Sequence, residues 1–441
     1  MHYKKIFISF FLLTTFVGVE TKGQAVSNRA TTGSLNDFMD MRFGMFIHWG
    51  PVSLRGTEIG WSRGREVPTA EYDNLYKEFN PVLFNADDWV KTAKDAGMKY
   101  LTITARHHDG FCLWPTKFTD YNIMNTPYKK DIVKALMQAC KKQGIKFCIY
   151  YSVLDWYHPD YPLHTHLGSP MPDPKSDMNR YIQFMKNQLK ELITGYDPYM
   201  IFFDGQWESP WTNAMGKDIY AYLKKLNPAI IINNRLGKEF AAMENKAIDA
   251  SKMIGDYDTP EQVVGRLNMQ TPWESCFTIC TQWSWKPNDK MKTLQQCLNI
   301  LSRTAGGNGN LLLNVGPMPD GRIEARQVSR LQEVGDWLKL NGEAIYHTKG
   351  GPYEPGSNYA TTRKGNKIFL HVLNTDTAVI ALKNIPGSNI IKAHTMKGEK
   401  VSIEKGTETF RVLLPASLAG KMEYIIVLEL DGSAENIPVI K

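Results

Sequence analysis

The sequence predicts an α/β fold: a (β/α)8-type barrel followed by a small C-terminal all-β domain of sandwich type. Three observations carry that expectation. Between Asp40 and about Asn341, short β-rich runs alternate with amphipathic helical stretches, the pattern of βα units with parallel pairing. Polar or aromatic residues stand at the carboxyl end of strand after strand, where such barrels carry their working side chains. After Asn341 the helical period disappears, and β-rich runs separated by turn residues take over.

The chain opens with Lys4 and Lys5, then an apolar run from Ile6 to Val19, then polar residues with small neighbours, Gly23 and Ala25. This reads as a signal peptide over residues 1–25, and it implies export to the periplasm or the medium. The run is short and wrongly flanked for a membrane span, and no second stretch is long enough to cross a bilayer. No cysteine follows the run, which argues against a lipoprotein anchor.

The barrel is expected over residues 26–346. Its β-rich runs are Phe43–His48, Tyr100–Ala105, Lys146–Ser152, Met200–Asp204, Ala229–Asn233 and Asn310–Val315. Helical stretches lie between several of them, at Ala86–Ala96, Asp131–Gln143, Asp177–Gly195 and Lys217–Leu226. Strands six and seven are placed only within Lys252–Ile279. No GxGxxG or Walker-type loop is present, which counts against a doubly wound sheet. Gly350, Gly351, Pro352, Pro355 and Gly356 punctuate the passage into the second domain, residues 347–441. Its β-rich runs include Lys367–Val372, Val379–Leu382 and Tyr424–Leu430.

A hydrophobic content of 43% can fill a core for two domains of this combined length. The net charge of +7 comes from scattered Lys and Arg, partly in the signal segment, so no nucleic-acid partner is expected. Six cysteines are too few for a disulfide scaffold at 441 residues. They are expected as buried free thiols, with one bridge open after export.

The strand ends carry the chemistry. The run Met200–Phe203 leads straight into Asp204 and Gly205, and a carboxylate at the end of a buried strand needs a turn, an arginine, a metal or a substrate to solvate it. RFGMFIHWG places His48 and Trp49 at the first strand end. LTITARHHDGF delivers Arg106, His107, His108 and Asp109 at the second, and FCIYYSVLDW brings Tyr150, Tyr151 and Trp156 at the third. Arg235 follows the fifth strand, and Glu261, Glu274, Trp283 and Trp285 lie beyond it. Adjacent histidines on a strand point to opposite faces, and no HxH spacing occurs at a strand end and no HExxH anywhere, so no metal is expected. Tryptophans beside polar strand ends suit the apolar faces of sugars. Asp204 with a second carboxylate would supply the nucleophile and the general acid of glycoside cleavage. Glu261 is a candidate for the second role, with Asp256, Asp258 and Glu274 competing.

RFGMFIHWGPVS, ITARHHDGFCLWPTKFTDYN, the FDG of strand four, DYDTPE followed by PWESC, and SRTAGGNGNLLLNVGPMPDGRI together resemble glycoside hydrolase family 29, the α-L-fucosidases. The match runs in order from about Asn36 to Tyr346. It implies a retaining exo-enzyme on a barrel, with no cofactor, acting on terminal fucose of glycans, and it makes Asp204 the nucleophile. The acid/base maps onto Glu261 through the D-Y-x-T-x-E loop, with Glu274 of W-E-x-C as the alternative. The implied substrate-binding set is His48, Trp61, His107, His108, Tyr151, Arg235, Glu274 and Trp283. Two departures stand out. Gly60-Trp61 replaces a Glu-Trp pair, leaving a sugar contact missing or supplied by Glu58, and Phe202 stands where a tryptophan is common. Two further readings remain open: a barrel glycosidase for another terminal sugar such as galactose, and a non-catalytic carbohydrate-binding protein.

Overall fold

Seven strands form one all-parallel sheet in the computed structural model, which describes residues 32–441 apart from 169–170, 242, 245–247, 375, 419 and 421. The signal-peptide expectation therefore lies outside the described residues. In chain order the elements are α1 (Thr32–Met41), β1 (Phe43–Ile47), α2 (Thr69–Tyr72), α3 (Ala86–Asp95) and β2 (Tyr100–Arg106). Next come α4 (Ile132–Gln143), β3 (Lys146–Ser152), α5 (Met178–Tyr196), β4 (Met200–Asp204) and α6 (Asn213–Leu226). The set closes with β5 (Ile231–Ile232), β6 (Glu274–Thr278), α7 (Leu294–Gly306), β7 (Asn310–Val315) and α8 (Ala325–Asn341). The strand order is β5-β4-β3-β2-β1-β7-β6. Side-chain caps start the helices: Asn85, Asp131, Asp177, Thr212 and Thr293 each accept backbone N–H bonds at an N-terminus. The cap at Thr212 explains why α6 begins earlier than the apolar period alone suggests.

Residues 254–262 fill the gap between β5 and β6. They form isolated parallel bridges, Arg235 to Ile254 and Asn233 to Tyr257 on one side, Asp258 to Trp273 and Glu261 to Cys276 on the other. Backbone bonds run both ways, from Asn234 N to Tyr257 O (2.9 Å) and from Glu274 N to Asp258 O (2.9 Å). The segment closes the sheet into a ring, and with β6 it occupies the stretch where strands six and seven were expected.

Alternation along the strands sorts the side chains into two layers. Phe46, Tyr100, Cys148, Tyr150, Met200, Phe202, Ile231, Cys276 and Leu312 pack together inside the ring, with Phe38 of α1 and Tyr257 among them. Their neighbours Ile47, Leu101, Ile149, Tyr151, Phe203 and Leu313 face outward into the helix layer. All six cysteines are buried free thiols.

Antiparallel strands follow: β8 (Lys349–Gly350), β9 (Tyr359–Lys364), β10 (Lys367–Val372), β11 (Val379–Lys383), β12 (Ile390–Thr395), β13 (Ser402–Lys405), β14 (Thr409–Leu413) and β15 (Tyr424–Leu430). They make sheets of order β12-β15-β10-β9-β8 and β11-β14-β13. One apolar cluster, including Leu370, Ile380, Phe410 and Ile426, joins them. Trp337 of α8 donates to the Glu423 carbonyl (3.1 Å), and the Ser302 hydroxyl of α7 bonds the Glu423 carboxylate, seating this part against the barrel helices.

Ring closure beside β5 rests on a buried ion pair. Lys224 Nζ lies 2.9 Å from Asp256 Oδ2 and 2.5 Å from the Ile230 carbonyl, with both side chains almost fully buried. Removing one partner leaves the other charge uncompensated. Lys224→Met is expected to cost on the order of 3–5 kcal/mol in urea unfolding followed by tryptophan fluorescence. A loss below about 1 kcal/mol, the level of an exposed pair, would mean that the pair does not hold the closure.

Candidate active site

Asp204 is the last residue of β4 and shares the inward parity of Met200 and Phe202. Gly205 then turns the chain at φ 96°, and a Cβ there would sit 3.2 Å from the Leu154 backbone nitrogen and 2.8 Å from its side chain. Glycine is the residue that both constraints admit. The carboxylate is held on two sides. Oδ1 accepts from Arg235 Nη1 (2.7 Å), and Oδ2 accepts from the Tyr150 hydroxyl (2.9 Å). His108 Nε2 lies 3.6 Å from the same Oδ2.

Arg235 organises the rest. Its Nη1 also donates to Glu261 Oε2 (2.9 Å), while Nε and Nη2 donate to the Thr259 hydroxyl (2.9 Å) and carbonyl (3.0 Å). One nitrogen thus touches both carboxylates, so Asp204 Oδ1 and Glu261 Oε2 are less than about 6 Å apart. That is closer than the roughly 6.5–9.5 Å of inverting glycosidases. Burial works against the Arg235 charge, but Asp204 and Glu261 more than offset it, and the guanidinium stays charged. Burial pushes the Glu261 pKa up; Arg235 opposes this and the Asp204 charge adds to it.

The imidazoles are neutral. Burial drives His48 down to about 4 against the opposing pull of Asn314 and Asp204. Burial also takes His107 and His108 well below their ordinary value, and each is lowered further by other histidines. Phe46, Phe202 and Trp283 form an apolar wall, with Phe46 centred 5.3 Å from Phe202 and 5.9 Å from Trp283.

Eight of the ten residues named from sequence line this one cleft: Asp204, Glu261, His48, Trp61, His107, His108, Arg235 and Trp283. Two do not. Tyr151 points outward, where its hydroxyl donates to Gln188 Oε1 (2.8 Å) and its ring lies against Arg106. Tyr150 takes the expected place, because β3 pairs Ser152 with Asp204 and Tyr150 with Phe202, and parity sends Tyr150 inward. Glu274 opens β6 rather than ending a strand, so it lies at the opposite mouth of the ring, bonded by the Tyr100 and Tyr257 hydroxyls. Asp256 pairs with Lys224, and Asp258 accepts from Asn234 Nδ2 (2.6 Å), so neither competes for the cleft. Glu58 accepts from the backbone of Ile59, Trp283 and Ser284, which commits it to holding the Trp283 loop. Trp207, three residues past Asp204 and partly exposed, and Cys276 complete the lining, and no spacing signal in the sequence marks either.

The family model described as alpha-L-fucosidase matches residues 20–343. The chain belongs to the alpha-L-fucosidase family. Plasma alpha-L-fucosidase of Homo sapiens is 30% identical over 70% of this chain and 69% of its own length. Tissue alpha-L-fucosidase of Bos taurus is 29% identical over 76% and 74%. Among solved structures, alpha-L-fucosidase isoenzyme 1 of Paenibacillus thiaminolyticus superposes with TM-score 0.78 at 32% identity, covering 90% of this chain and 99% of that one. A family 29 alpha-L-fucosidase of Bacteroides thetaiotaomicron superposes with TM-score 0.79 at 29% identity, covering 92% and 99%. That protein was trapped as a covalent intermediate from 2-fluoro-fucosyl fluoride in a Glu-to-Gln variant.

Two measurements check the placements. Tyr150→Phe removes a bond to a carboxylate and is expected to lower kcat/KM on an aryl fucoside by roughly ten- to hundredfold. Tyr151→Phe is expected to cost about 1 kcal/mol of stability with little change in rate; the reverse pattern would restore Tyr151 to the site. Burial holds Glu274 up at about 8, with the two tyrosine hydroxyls opposing. A folded pKa above the unfolded one gives stability that is complete below about 4.5 and is lost as pH rises toward 8. Glu274→Gln should therefore gain stability relative to wild type between pH 5 and pH 8 in thermal unfolding, and a constant difference would contradict this.

Proposed function

We propose that the protein is a retaining exo-α-L-fucosidase in which Asp204 is the nucleophile and Glu261 the acid/base. The observation that carries the assignment is the single Arg235 nitrogen bonded to both carboxylates, at 2.7 and 2.9 Å. It sets a cation against the nucleophile and gives a separation suited to attack without an intervening water.

In the first half-reaction an Asp204 oxygen attacks the anomeric carbon as Glu261 gives its proton to the departing glycosidic oxygen. Burial and the neighbouring Asp204 charge favour a proton on Glu261 before this step. Once Asp204 is an ester its charge is gone, and Arg235 then favours the ionised form of Glu261. The same residue becomes the base that takes a proton from water in the second half-reaction. One guanidinium serves both states.

The wall of Phe46, Phe202 and Trp283 supports fucose over galactose. The 6-methyl of fucose gains apolar contact there, whereas the 6-hydroxyl of galactose would lose water without a partner, at a cost of about 1–3 kcal/mol. The presence of both carboxylates speaks against a purely carbohydrate-binding role. The basic, apolar leader of the sequence supports export, so the substrates are fucosylated glycans outside the cytoplasm.

Glu261→Ala is expected to slow a fucosylated oligosaccharide far more than an activated aryl fucoside, which needs little protonation. Azide should restore turnover of the aryl substrate and yield fucosyl azide, since azide needs no base. The basic limb of the pH–rate profile, which falls as Glu261 loses its proton, should vanish in this variant. Asp204→Gly should lose both substrates. Azide rescue of Glu274→Ala in place of Glu261→Ala would overturn the acid/base assignment.

A further inference from the structure

We propose that Asn314 and Ser152 are positioning residues that hold His48 and His108 with the proton on Nδ1, so that each ring offers its Nε2 lone pair to a hydroxyl of the bound sugar. The identity of the occupant rests on the fucosidase reading; the state of the rings does not.

The assignment follows from which atoms can only accept. Asn314 lies on β7, buried, with Nδ2 2.6 Å from the Trp283 carbonyl oxygen. A carbonyl has no proton to give, so the amide nitrogen must face Trp283 and the amide oxygen must face His48. His48 Nδ1 lies 2.7 Å from that oxygen, which again only accepts, so Nδ1 carries the hydrogen. Ser152, at the end of β3 and buried, has Oγ 2.6 Å from the Leu154 carbonyl, and its hydroxyl proton is used there. The same Oγ lies 2.8 Å from His108 Nδ1 and can only accept from it.

A neutral imidazole carries one ring hydrogen, so both Nε2 atoms are bare. Burial keeps both rings neutral. His108 Nε2 and Asp204 Oδ2, 3.6 Å apart, are then two acceptors that converge without bonding each other. What satisfies them is a donor brought by the ligand, and a sugar hydroxyl is one. With the hydrogen on Nε2, His108 would instead point it at the nucleophile and draw on the lone pairs that must attack. Asn314 acts twice, because the peptide it holds belongs to Trp283, whose ring packs 4.7 Å from His48. One amide sets both the acceptor and the neighbouring wall. This arrangement resembles the way an outer partner on one imidazole nitrogen decides what the other can do at metal sites.

The test is nitrogen NMR of the enzyme labelled with 15N-histidine, with the two rings assigned by His48→Asn and His108→Asn. Wild type should show Nδ1–H with unprotonated Nε2 for both. Ser152→Ala and Asn314→Leu should each shift the affected ring toward Nε2–H and raise KM for an aryl fucoside about tenfold, with a smaller change in kcat. Ser152→Thr, which keeps an acceptor, should keep the wild-type His108 signal and recover most of the KM loss. Nε2–H at either ring in wild type would overturn the proposal, and that spectrum decides even if a variant fails to fold. Failure of the fucosidase reading would appear separately, as absence of fucoside hydrolysis by wild type.

Discussion

The buried guanidinium of Arg235 is the interaction on which the site and the closure of the barrel both depend. It is 2% exposed and lies between carboxylates that are 12% and 20% exposed. Two negative charges this close in a poorly solvated cleft would repel strongly, and the cation bonded to both offsets that repulsion. The other face of the same guanidinium grips Thr259, whose hydroxyl in turn donates to Asn234. The strand it follows, β5, has only two residues in regular pairing. Side chains therefore reinforce the isolated backbone bridges at this seam, through Lys224 with Asp256, Asn234 with Asp258, and Arg235 with Thr259. Electrostatics and architecture are the same set of contacts here.

Three acidic residues show how position in the barrel separates chemical roles. Asp204 and Glu261 stand at the carboxyl mouth beside a cation. Glu274 stands at the opposite mouth, where hydroxyls are its partners and burial keeps it protonated past neutrality. A neutral carboxyl there can plug the ring floor beside Phe38 and Tyr257 without the cost of a buried charge. The environment, rather than the side-chain type, decides which of the three can act.

Much of this was legible in the chain. Apolar runs as strong as Phe43–Ile47 and Met200–Phe203 can only be strands buried on both faces, and the residue ending such a run falls at the working mouth. Asp204, His48 and the His107–His108 pair were found that way. Tyr150 is named at its strand end but left out of the binding set in favour of Tyr151; the choice between neighbours needs the register that pairs Ser152 with Asp204, which the sequence does not supply. Glu274 was misplaced because a motif names residues without giving strand direction, and the first residue of β6 is as far from the cleft as the barrel allows. Residues 254–262 carry no apolar run at all. Gly255, Pro260 and three acidic side chains hide a strand position that exists only as isolated bridges.

That weakly paired segment has a consequence for how such an enzyme can diverge. The nucleophile ends a strand whose ladder with β3 is continuous, where an insertion of one residue would turn the inward layer outward. Glu261 sits on a span held by isolated bridges rather than a regular ladder, so a change of length between two bridges leaves the register of the flanking strands alone. The half of the reaction that meets the leaving group can thus be rebuilt while the half that holds the fucosyl unit is left alone. Selection for a new aglycone has, in this architecture, a seam along which to cut.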